Sequence, residues 1–113
     1  MVLVGAPEHD QLVALMSHLP HLIAALLVKH VAETNRTALD LCGPGFRDTT
    51  RIASGAPELW ADILMSNLDA VQEQLRAFKA GLEEALAMLG EKDVKKLQGL
   101  LDEAKENRDR LSP

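Results

Sequence analysis

From Leu68 onward the chain carries one apolar residue at every third or fourth position: Leu68, Val71, Leu75, Phe78, Leu82, Leu86 and Leu89. Steps of three and four line one face of an α-helix, whereas a strand needs steps of two. After Gly90-Glu91-Lys92-Asp93, a tight polar connection, Val94, Leu97, Leu101, Ala104 and Leu111 repeat the pattern. The C-terminal part is therefore expected to be an antiparallel helical hairpin. No stretch alternates with period two over a useful length. Aromatics make up only 3% of 113 residues, so the core has to be assembled from Leu, Ala, Ile, Val and Met. The expected fold class is all-α, in one domain by length.

The N-terminal half follows the same period. Pro7-Glu8-His9-Asp10 reads as a helix start, with proline and acidic residues in the first turn, where the helix dipole favours them. Leu12, Leu15, Leu19, Leu22, Ile23 and Leu26 then form an apolar stripe, widened by Met16 and Leu27. Pro20 lies inside that run. It lacks an N–H and frees the carbonyl of Met16, which predicts a kink or a break into two helices. Helix is expected to continue to about Leu41, where Gly43-Pro44-Gly45 ends it. A short helix over Phe46 to Ile52 and a further start at Pro57 follow. Ser66-Asn67-Leu68-Asp69 resembles a capping signal. The start of the chain, residues 1–7, is read as a leader or linker remnant, and residues 8–113 as the helical domain.

Charge and cysteine content narrow the function classes. The net charge of -5 argues against nucleic acid, whose phosphates require a basic surface. The longest purely apolar run, Leu22 to Val28, falls far short of a bilayer span, so no membrane is expected. A single cysteine, Cys42, precludes an intrachain disulfide and fits a reducing cytoplasm. The wide apolar stripe from Leu19 to Val28 exceeds what the hairpin alone can cover. Such a surface meets a partner, and a homodimer is the commonest solution.

Two polar clusters interrupt this apolar pattern. In the first, Ser17-His18-Leu19-Pro20-His21, two imidazoles and a hydroxyl sit within the stripe. Polar groups in apolar surroundings cost stability unless they are paired. On an unbroken helix Ser17 and His21 share a face, while His18 and His21 lie about sixty degrees apart. The histidines can be core residues satisfied by carbonyls, donors to a ligand, or two ligands of a metal. The last needs a third ligand, for which His9, His30, Cys42 and Asp48 are unspecific candidates. The second cluster is Gly45-Phe46-Arg47-Asp48-Thr49-Thr50-Arg51. Arg47 and Arg51, four apart, would point the same way on a helix and offer planar forks to a carboxylate or phosphate. Asp48 could hold one of them, and the segment around Arg51 reads as half-buried. Trp60, the lone tryptophan, either walls the same pocket or fills the core.

Taken together, the Glu8-His9-Asp10 start, Val13-Ala14, Ser17 to His21, Gly45-Phe46-Arg47-Asp48-Thr49-Thr50-Arg51-Ile52-Ala53, Pro57-Glu58-Leu59-Trp60 and Asn67 resemble the C-terminal domain of the prephenate/arogenate dehydrogenase family of tyrosine biosynthesis. The resemblance covers nearly the whole chain from about Glu8. It implies an all-helical, intertwined dimerisation domain that follows a Rossmann domain in the full enzyme. It also implies oxidative decarboxylation of prephenate or arogenate with NAD or NADP. By the same resemblance Arg51 binds a substrate carboxylate and His21 helps to hold the substrate. Ser17 and His18 line the cleft, Trp60 packs beside it, and Arg47 and Asp48 sit at its mouth near the subunit boundary.

Two features depart from the family's pattern. Cys42-Gly43-Pro44-Gly45 stands where relatives commonly carry a run of glycines before the phenylalanine. No Gly-x-Gly-x-x-Gly occurs in the sequence, and the family's catalytic histidine belongs to the Rossmann domain. No catalytic residue, metal or dinucleotide is therefore expected on this chain alone. Two alternatives remain at this level: a small helical chorismate mutase, and a non-catalytic helical interaction module. The mutase usually has a long N-terminal helix with spaced basic residues, and Gln11 to Val28 carries no lysine or arginine.

Overall fold

A computed structural model describes residues 6–111, and these are helical apart from short turns, with no strand among them. The chain runs through α1 (Ala6–Val13), a π-helical turn (Ala14–His18), α2 (Leu19–Thr34) and α3 (Arg36–Asp40). Then come α4 (Pro44–Thr50), a 3-10 turn (Arg51–Ser54), α5 (Pro57–Ser66), α6 (Leu68–Gly90) and α7 (Val94–Asp109). The described residues fall into two compact units that part within α6, the first ending at Leu75 and the second beginning at Arg76. Of the leader expected over residues 1–7, only Ala6 and Pro7 lie within the described residues, and both already belong to α1.

Pro20 does not break the N-terminal helix into two. The kink expected there is taken up one turn earlier, in the π-helical turn, where the Leu19 N–H reaches back five residues to the Ala14 carbonyl. Widening the ladder just before the ring relieves the clash a proline imposes on a regular α-helix. Pro20 then occupies the first turn of α2, where an N–H is not required. Helical dihedrals hold across the junction, at His18 (φ -71°, ψ -46°) and Leu19 (φ -62°, ψ -49°).

The resulting helix, Ala6–Thr34, is long and apolar enough to cross a membrane by length and composition alone, although its longest purely apolar run is short. A mostly buried core helix meets the same criterion; here 28% of the apolar window is buried, and the helix packs on α4 and on the 3-10 turn. It also ends earlier than expected. Asn35 adopts an extended conformation (φ -158°, ψ 100°), and its side chain accepts from the Thr37 and Ala38 N–H groups. An asparagine that caps a new helix in this way stops the old one, so the continuation to Leu41 becomes the separate α3.

Pro57 opens α5 as predicted, whereas Pro44, expected within the Gly43-Pro44-Gly45 stop, itself opens α4, two residues ahead of the short helix expected from Phe46. The core of the first unit is small: Ala14, Ala70 and Val71, with Leu22 and Leu64 packed against them. Alanine at positions 14, 24 and 70 lets neighbouring backbones approach closely. Around this core, Gln11 donates to Glu73 at 2.7 Å and accepts from Gln74 at 2.8 Å, tying α1 to the start of α6.

In the second unit the connection from α6 to α7 closes as a Schellman turn. Lys92 takes the left-handed conformation (φ 55°), its N–H bonds the Leu89 carbonyl, and the Asp93 N–H bonds the Met88 carbonyl. Those are the paired bonds of that motif. Asp93 then caps α7 through the Lys96 N–H. The seam itself is left open: Leu82, Leu86 and Leu89 are 54%, 68% and 59% exposed, and Val94 and Leu101 71% and 58%.

Candidate functional site

The first unit gathers the expected aromatic groups into one cluster. His18 ends the π-helical turn and His21 lies in the first turn of α2, and both are buried. Trp60, half-buried on α5, stacks on His21 with ring centroids 3.7 Å apart and an interplanar angle of 12°. The same indole meets His18 edge-on at 6.4 Å and 83°. Trp60 thus closes against both imidazoles.

Although both histidines are buried, none of their nitrogens is sealed from solvent without a partner. His18 Nδ1 faces the Asn67 amide nitrogen at 3.3 Å. His18 Nε2 and the nitrogens of His21 have no partner among the described residues. Buried rings with open nitrogens suit ligand contact better than core filling, where every such atom would be satisfied. Ser17, part-buried in the π-helical turn, neighbours His18 in the same element.

Two members of the cluster carry no chemical signal in the sequence. Gly55 follows the 3-10 turn with φ -60° and ψ 155°, an extended conformation open to any residue. What requires glycine there is space. A Cβ would lie 2.6 Å from Trp60 Nε1, 2.8 Å from Trp60 Cδ1 and 3.1 Å from His21 Cε1. Asn67 is the other. The spacing of Ser66-Asn67-Leu68-Asp69 suggested a helix cap, but the Asn67 amide reaches across the unit to the Asp10 carbonyl at 2.9 Å and to His18. The Ser66 hydroxyl donates within α5, to the Ile63 carbonyl.

The arginine cluster differs from the sequence expectation. Arg47 lies in α4 and Arg51 opens the 3-10 turn, because the intervening Thr50 turns out of the helix (φ -103°, ψ 3°). The two guanidiniums therefore do not stack along a single α-helix. Arg51 is exposed, not half-buried, as are Arg47 and Asp48. Asp48 forms no ion pair with either arginine among the described residues. The burial read into this segment belongs to Thr50, whose hydroxyl donates to the Phe46 carbonyl at 2.8 Å, while Thr49 bonds the Gly45 carbonyl at 2.8 Å. Exposure leaves the Arg51 fork available, and its turn packs directly against α2, the helix that carries His21. Among the described residues no three of His, Cys, Asp and Glu gather as metal ligands.

A family model for the prephenate dehydrogenase dimerization domain matches residues 5–103. The chain belongs to this family. The chain is 31% identical over 110 residues to the prephenate dehydrogenase of Lactococcus lactis subsp. cremoris, a match that covers 95% of this chain and 31% of that protein. Among solved structures it is similar to Synechocystis arogenate dehydrogenase, with a TM-score of 0.90 and 30% identity over 96% of this chain and 41% of that one. It is also similar to prephenate dehydrogenase from A. aeolicus in complex with hydroxyphenyl propionate and NAD+, with a TM-score of 0.88 and 30% identity. That match covers 99% of this chain and again 41% of the other. The domain thus spans about a third of the length of the curated relative. Membership places it with the dimerization domains of prephenate dehydrogenases.

Proposed function

We propose that this chain is the dimerisation and substrate-binding part of a cytoplasmic prephenate or arogenate dehydrogenase of tyrosine biosynthesis. In the full enzyme it would contribute to NAD(P)-dependent oxidative decarboxylation, in which hydride leaves the ring carbon bearing the hydroxyl and carbon dioxide is lost as the ring aromatises. The dinucleotide supplies the hydride acceptor. With no Gly-x-Gly-x-x-Gly among these residues, its binding is assigned to residues outside them.

The observation that carries the proposal is the pair of buried imidazoles closed by Trp60, with open ring nitrogens, in a chain of this family. A dianionic substrate offers acceptors to such nitrogens and a planar carboxylate to the Arg51 fork. Arg51 binds the carboxylate, His21 holds the substrate, and Ser17 and His18 line the cleft. Trp60 fixes the plane of His21 by stacking. Arg47 and Asp48 stand at the mouth, near the subunit boundary.

The Leu19–Val28 stripe expected to meet a partner is mostly covered already, Leu26 alone being exposed in it. The second copy of a homodimer is assigned instead to the exposed seam of Leu82, Leu86 and Leu89. With 54–68% of each leucine still to be buried, each contributes roughly 1–2 kcal/mol.

Prephenate titrated into isotopically labelled protein should move the amide cross-peaks around His21 and Arg51. Arg51→Ala should abolish those movements and leave the sedimentation of the dimer unchanged. A variant that binds as well as the parent refutes the role of Arg51. A parent whose cross-peaks near His21 stay still refutes substrate binding by this domain.

A further inference from the structure

Asn67 stands between α5 and α6, forty-nine residues from His18 in sequence, and its side chain bridges two groups of the N-terminal helix. One of them identifies the donor. The Asp10 carbonyl oxygen, 2.9 Å away, can only accept, so the amide atom facing it is the nitrogen; the opposite orientation would set two oxygens against each other. That nitrogen carries two hydrogens. With one on the Asp10 carbonyl, the other is available to His18 Nδ1 at 3.3 Å. Nδ1 must then present a lone pair, and in a neutral imidazole the proton resides on the other nitrogen.

We infer that Asn67 is a positioning residue that holds His18 as the Nε2–H tautomer. The one ring nitrogen of His18 left for a ligand is thereby a hydrogen-bond donor. The remote carbonyl of Asp10 takes part by orienting the amide. The device selects ligands that present an acceptor oxygen (a carboxylate, ketone or hydroxyl) and disfavours a group that brings only N–H donors. Its bearing on prephenate rests on the functional reading above; the tautomer itself does not.

The test is a long-range proton–nitrogen correlation of the imidazoles, recorded on histidine-labelled protein on the alkaline side of the ordinary imidazole range. The His18 signals are assigned by their loss in His18→Gln. The expected pattern shows His18 with a protonated Nε2 and a bare Nδ1. A majority of Nδ1–H in the parent protein overturns the inference without any variant at Asn67.

Asn67→Asp replaces the donor with an acceptor and should move the majority to Nδ1–H. It should also weaken prephenate binding by about tenfold or more, the effect of losing one hydrogen bond to a charged group. A folded Asn67→Asp protein whose tautomer stays as in the parent overturns the inference. The expected tautomer in a parent that does not bind prephenate supports the positioning by Asn67 and overturns the functional reading instead.

Discussion

Replacing Gly55 with alanine probes the histidine–tryptophan cluster at its tightest point. The new methyl group would lie 2.6 Å from Trp60 Nε1, whereas ordinary contact begins at 3.4 Å. The indole or the turn must therefore give way by about 0.8 Å, an overpacking of the kind that costs roughly 1–3 kcal/mol. If the ring yields, the stack on His21 at 3.7 Å opens, and a favourable aromatic contact of about 0.5–1.5 kcal/mol is lost. If the backbone yields, the 3-10 turn shifts against α2 and takes Arg51 with it. Backbone conformation adds nothing to this cost, since Gly55 sits at φ -60° and ψ 155°. For a domain of this size about 4 °C of melting temperature corresponds to each kcal/mol. Gly55→Ala should therefore melt about 4–12 °C below the parent at equal protein concentration. Because Trp60 is the only tryptophan, its fluorescence reports the stack directly, and the emission should change in both intensity and wavelength. A variant that melts within about 2 °C of the parent and keeps its emission spectrum would refute the steric argument.

Other substitutions test separate parts of the structure. Leu86→Glu should weaken self-association by about thirtyfold or more, since Leu86 is 68% exposed and about 1–2 kcal/mol of apolar burial is lost from each copy; sedimentation over a dilution series measures it, and an unchanged dimer constant refutes the assigned interface. Lys92→Gly should stabilise the chain by up to about 1 kcal/mol by removing the Cβ from a left-handed residue, seen as a raised denaturation midpoint, and a lowered midpoint counts against that turn. Asn35→Ala should cost about 0.5–2 kcal/mol through loss of the cap on α3, read from thermal melting followed by circular dichroism; no loss would mean that the break between α2 and α3 has another cause.

The helical elements were legible wherever the signal was local. Pro57 marks the start of α5 because the missing N–H and fixed φ of proline suit a first turn, whereas Pro44, read as part of a stop, opens α4 for the same reason. The seam from Leu68 to Leu89 marks α6 because its period is a property of one helix. Signals that depend on a neighbour misled. The apolar continuity through Val31 and Thr37 hid the cap at Asn35. Pro20 suggested a break, but a π-helical turn one step earlier absorbed the ring. The flanking residues of Arg51 suggested burial, yet Arg51 itself is exposed while Thr50 turns inward and satisfies its hydroxyl on its own helix.

The sequence by itself determined the fold class, most helix starts and the residue types of the site, since periodicity and proline geometry act within a few residues. It also placed Ser17, His18, His21, Arg51 and Trp60 in a recognisable order. Only the tertiary structure decided how they meet: which imidazole Trp60 stacks on, that the next residue after the 3-10 turn must be glycine, and that an amide read as a cap orients His18. Those outcomes depend on atoms brought together from tens of residues apart, where a few tenths of an ångström separate contact from overlap. No local pattern encodes a distance of that kind.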